Sequence, residues 1–96
     1  LYSNLYTIYY ELEDYAAAEE SLLRFEDAFP DNYMPHALRA MMLITIENGK
    51  NQSARNYTKA KSEYEVAKQM IQSSDDTTYF QQLESLIVRL QKEGWL

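Results

Sequence analysis

His36 is the only histidine in the chain, and there is no cysteine. A metal centre needs several donors that converge, and a general base needs a group to orient it. His36 has no second histidine or thiolate to converge with. It reads as a solvent-edge residue in the first turn of a helix. The only glycines are Gly49 and Gly94, too few for a phosphate-cradling loop. Serine and threonine are plentiful, but none stands in a serine–histidine–acid pattern. These residues predict no catalytic centre, no cofactor and no metal. The chemistry left to them is recognition.

Three sets of side chains could recognise something. Glu11, Glu13, Asp14, Glu19, Glu20, Glu26 and Asp27 form an acidic run. It could hold a cation or a basic partner, but these residues avoid the apolar positions, which favours a solvated outer face. Lys50, Arg55, Lys59 and Lys61 concentrate positive charge locally. They could receive an acidic peptide or the acidic half of a second copy, although a solvated face is the weightier reading. Nine tyrosines complete the set. Tyr2, Tyr9, Tyr15, Tyr57 and Tyr64 recur at core spacing, with rings inside and hydroxyls at the rim. Tyr6 and Tyr10 lie one turn apart and off that stripe, where a rigid ring could serve an interface.

Helices must position all of these. Tyr2, Leu5, Tyr9 and Leu12 step by 3, 4 and 3, which predicts a helix over residues 1–12 with Ile8 widening its stripe. Tyr15, Ala18, Leu22, Phe25 and Phe29 predict a second over 14–29, capped by Asp14 and stopped by Pro30. A third runs from Asn32–Met34 to about Asn48, with Pro35 in its first turn and Gly49 after its end. Ser53 is the expected cap of a fourth over 54–71, whose stripe is Tyr57, Ala60, Tyr64, Ala67 and Ile71. That stripe repeats the second helix at an offset of 42 residues, from Tyr15 over Tyr57 to Phe29 over Ile71. Phe80, Leu83, Ile87 and Leu90 predict a fifth over 77–93. Gly94 follows as its left-handed terminus, turning Trp95 back to a half-buried position.

A chain of 96 residues suits one domain with a modest core. The net charge of −6 and pI near 4.6 disfavour a nucleic-acid partner, because phosphate backbones would be repelled. No apolar run approaches the ~20 residues that span a bilayer. The chain starts on Leu1 inside a helical pattern, so it is expected to be a fragment of a longer protein, and a cytoplasmic one.

The first hairpin resembles a tetratricopeptide repeat. Tyr2, Leu5, Tyr6 and Tyr9 occupy that family's first-helix positions, and Ala18, Leu22 and Pro30 its second-helix positions. Tyr6 departs from the family's glycine, so its ring should push the helices apart or point outward. Leu38, Met41, Met42 and Thr45, then Ala60 and Tyr64, make a looser second copy with a longer link and no closing proline. Leu1 to Tyr9, Asp14 to Glu19, Arg55 to Tyr57 and Gly94 to Leu96 are also similar to C-terminal helical segments of Firmicute proteins. Those include eukaryotic-like serine/threonine protein kinases.

The resemblance implies an all-α, TPR-like right-handed solenoid. Its parts would be a first hairpin over 1–30, a second over 32–72 and a capping helix over 76–96. It implies a non-catalytic protein–protein interaction module, an accessory domain of a larger bacterial signalling protein such as a kinase. The alternative is a homodimerisation domain paired through the outer face of the first helix. By family analogy Ser3, Thr7, Tyr10, His36, Arg39 and Leu43 would line a peptide-binding groove, with Arg39 offering a fork to a partner's carboxylate. Arg39→Glu should then weaken binding and leave helicity intact.

Overall fold

The computed structural model describes residues 2–96. Leu1, part of the Firmicute resemblance, lies outside the described residues. Those residues form five α-helices: α1 (Tyr2–Glu11), α2 (Tyr15–Ala28), α3 (Met34–Asn48), α4 (Thr58–Met70) and α5 (Thr78–Lys92).

The ends of the helices have local causes. At the end of α1, Asp14 N–H donates to the Tyr9 carbonyl and Glu13 N–H to that of Tyr10. This paired closure requires a left-handed residue, and Glu13 takes that place with φ 57°. Asp14 then caps α2 by accepting from Ala17 N–H at 3.2 Å. Asn32 accepts from Met34 N–H at 2.9 Å and leads into Pro35 in the first turn of α3. Gly94, at φ 87°, closes α5 in the same way that Glu13 closes α1, with Trp95 N–H donating to the Leu90 carbonyl.

The helices alternate in direction. Tyr2 at the start of α1 meets Phe25 and Phe29 at the end of α2, and Tyr10 meets Tyr15 at the other end. Those contacts make an antiparallel pair. Asn48 and Tyr57 meet across the α3–α4 link, while Tyr64 stacks on Phe80 and Tyr57 meets Trp95 across α4 and α5. Tyr33, just before α3, meets Phe80 in α5. α1, α3 and α5 therefore run one way and α2 and α4 the other. α3 is the hub, packing on α2, α4 and α5.

Two clusters make the core. Tyr6, Ala18, Leu22, Leu38 and Met42 join the first hairpin to α3. Tyr33, Ala37, Ile44, Tyr57, Ala60 and Leu83 are among those that join α3, α4 and α5. Ala18 and Ala60 are both fully enclosed, and small residues there let neighbouring helices approach closely. Trp95 is half-buried against Tyr57, with the Arg55 guanidinium 5.8 Å from its ring.

Three expectations are corrected. Tyr6 does not push outward: it is 5% exposed, and its hydroxyl donates to the Leu38 carbonyl at 3.1 Å. Leu5, Ile8 and Leu12, expected inside, are 40%, 52% and 70% exposed. The inner side of α1 is rotated from the expected stripe because α1 must face α3 as well as α2. Helix α4 starts at Thr58, not after Ser53; Gln52–Ala54 forms a short 3-10 turn, and Asn56 accepts from Thr58 N–H at 2.9 Å.

Candidate functional site

The densest group of charged side chains lies where α3 faces both α2 and α4. Arg39 is 8% exposed. Its Nε donates to both oxygens of Glu19 at 2.8 and 3.1 Å, and its Nη1 donates to Glu26. Glu63 of α4 stands 3.6 Å from the same Nη1. His36, one turn earlier on α3, has Nδ1 2.7 Å from Glu63 and 3.6 Å from Glu26. An ionised carboxylate only accepts, so that contact places a proton on Nδ1. Arg39 Nη2 is buried without a partner. Burial works against the Arg39 charge, but the three carboxylates outweigh it and raise the pKa further.

This cluster is a clasp between hairpins. Glu19 and Glu26 come from α2, Arg39 and His36 from α3, and Glu63 from α4. Beside it a cleft of about 310 Å³ is lined by Glu19, Arg39, Leu43, Lys59, Ser62 and Glu63. No group of His, Cys, Asp or Glu among the described residues has a metal-holding arrangement.

The six expected groove residues are not brought together. His36, Arg39 and Leu43 share the side of α3 that looks toward α2 and α4. Tyr10 turns to another side of α3, its hydroxyl 2.7 Å from Thr45 Oγ1. Thr45 gives its own proton to the Met41 carbonyl, so Tyr10 is the donor. Thr7 is exposed and donates to the Ser3 carbonyl at 2.8 Å, within its own helix. Arg39 is 8% exposed, with Nε and Nη1 donating to Glu19 and Glu26 and Nη2 enclosed, so it presents no open fork to a carboxylate. Tyr6 and Tyr10 stack at 5.7 Å and hold α1 on α3, which uses the pair internally.

The outer side of α1, which the sequence reading named only as a surface for self-association, carries three residues that it had placed inside. Leu5, Ile8 and Leu12 follow at i, i+3 and i+7 and stay open. Between α1 and α2 a shallow hollow of about 110 Å³ is lined by Tyr2, Leu5, Tyr9, Ala17, Glu20, Ser21 and Arg24. Glu20 and Arg24 pair at its rim at 2.8 Å. A signal was present: α1 has apolar residues over more than half its circumference, more than two neighbours can cover. Of the basic set Lys50, Arg55, Lys59 and Lys61, two members are engaged within the chain. Lys50 binds Glu47 at 2.7 Å, and Arg55 donates to the Lys50 and Asn48 carbonyls.

No family profile, curated protein or solved structure matches this chain. No helix among the described residues is long and apolar enough to cross a membrane.

Proposed function

We propose that this chain is a non-catalytic, TPR-like protein-interaction module. In this reading its two hairpins and closing helix form a right-handed solenoid, an accessory domain of a larger bacterial signalling protein such as a cytoplasmic serine/threonine kinase. The alternating helix directions and the packing of α3 on its neighbours support the repeat architecture. The observation that carries the function is the open apolar stripe of α1. A helix that buries one side and leaves Leu5, Ile8 and Leu12 in water is built to be covered.

The test is site-specific photo-crosslinking in cells, with the crosslinking residue placed in turn at positions on every helix. Recurrent capture of one polypeptide from one surface is the expected result. Absence of capture from every surface would overturn the interaction reading. For the kinase association, a glycine-rich loop and a catalytic aspartate encoded upstream of Leu1 are expected. An upstream frame without them would remove it.

A further inference from the structure

We infer that the outer side of α1 docks an amphipathic helix whose apolar face is bordered by lysine or arginine, supplied by another polypeptide. This rests on the interaction-module reading and names its surface and its partner's chemistry.

The shape of the surface argues for a helix. Leu5, Ile8 and Leu12 form a single ridge along α1, and the hollow beside it has Ala17 and Ser21 on its α2 wall. Small side chains next to a ridge let a helix lie close, ridge in groove. An extended strand would find no free sheet edge there.

The charge argues for a basic border and against a second copy. Residues 1–32 hold eight carboxylates and one basic side chain, Arg24. Glu19 and Glu26 are engaged with Arg39, and Arg24 with Glu20. Glu11, Glu13 and Asp14 stand at the end of the apolar ridge, exposed and without a basic partner among the described residues. Two copies meeting through this face would bring like charges together, which costs free energy and slows encounter. A basic-bordered helix gains from both the ridge and its acidic end. The opposite end of the molecule differs: α5 leaves only Tyr79 in its first turn and Val88 near its end open among its large apolar residues, and its last turn carries Arg89 and Lys92.

The experiment uses the 96-residue chain with two synthetic helical peptides of one leucine–alanine face, one bordered by lysine and one by glutamate. Amide chemical shifts are followed during titration. The lysine peptide should move resonances of α1 and the α2 wall, and bind more weakly as salt rises. The glutamate peptide should not bind. Leu5→Ser with Ile8→Ser keeps the charge and changes side chains that are 40% and 52% exposed, and its helicity is checked against wild type by circular dichroism before titration. It should weaken the lysine peptide about tenfold, as two aliphatic side chains no longer bury their open halves. Equal binding by that variant, by the glutamate peptide, or at another surface would overturn the proposal. So would a concentration-dependent dimer lost in the same variant, which would make a second copy the occupant. Crosslinks recovered in cells from other helices but not α1 would sink this surface and leave the interaction module standing.

Discussion

Removing the Tyr6 hydroxyl tests the link between the first hairpin and α3. Tyr6→Phe keeps the ring in place and loses the bond to the Leu38 carbonyl. That carbonyl still serves the ladder of α3, so no buried group is orphaned, and the expected cost is about 0.5–1.5 kcal/mol in denaturant unfolding. An unchanged midpoint would mean the bond carries no net stability. Burial also pushes the Tyr6 phenol well above its ordinary range, as a group with no room for charge. Arg39→Glu belongs to the same scale and has a different outcome from a groove mutation. It would set a fourth carboxylate among Glu19, Glu26 and Glu63 in a site that held their counter-charge. We expect a loss of about 2–4 kcal/mol, limited because the three glutamates keep partial contact with water. A variant that melts like the wild type would show that the clasp is dispensable.

Helix ends decide the stability of single elements. Glu13 holds a left-handed backbone at the end of α1, where a side chain strains against its own carbonyl. Glu13→Gly should stabilise the chain by about 1 kcal/mol, since glycine takes that geometry freely. A lower melting temperature would show that the Glu13 side chain has a role of its own. At the end of α3, Glu47 accepts from Lys50 Nζ and from Asn56 N–H, and these bonds hold the link into α4. They lower the Glu47 pKa below the ordinary carboxylate value, with the Lys50 bond the largest cause. A depressed carboxylate adds stability above its unfolded-state value and loses it as pH falls through the folded-state value. Asp76, held down by the Thr78 hydroxyl and amide, has the same sign. Stability should therefore fall on acidification below the ordinary carboxylate range, and Glu47→Gln should flatten part of that fall. Parallel pH profiles for wild type and variant would contradict it.

For the whole molecule, the close approach of α3, α4 and α5 is the main constraint. Ala60 is 1% exposed in the cluster that joins them. Ala60→Leu would force extra atoms into a filled contact and cost about 1–3 kcal/mol, read as a lower unfolding midpoint. A wild-type midpoint would mean that the contact has slack. The first hairpin is held on by the smaller cluster and by the Arg39 clasp, and it carries the whole of the net negative charge. Its junction with α3 is where charge, packing and exposed apolar surface meet.

Apart from the start of α4, the sequence alone determined where helices form and stop, because those signals are local. Asp14, Pro30, Pro35 and Gly94 act on their own backbone, and the stripes of α2, α4 and α5 each have polar residues marking the other side. The enclosed pair Ala18 and Ala60 was legible for the same reason. Only tertiary structure decided how α1 is turned. With apolar residues over most of its surface, periodicity names no single inner face, and the Tyr6 hydroxyl reaching Leu38 settles the rotation. Only tertiary structure turned Arg39 from a groove residue into a clasp. Its partners Glu19, Glu26 and Glu63 come from positions far apart in the chain, and no spacing rule connects them. The start of α4 was misplaced because Ser53 and Asn56 offer competing caps, and burial of Tyr57 against Trp95 favours the later one.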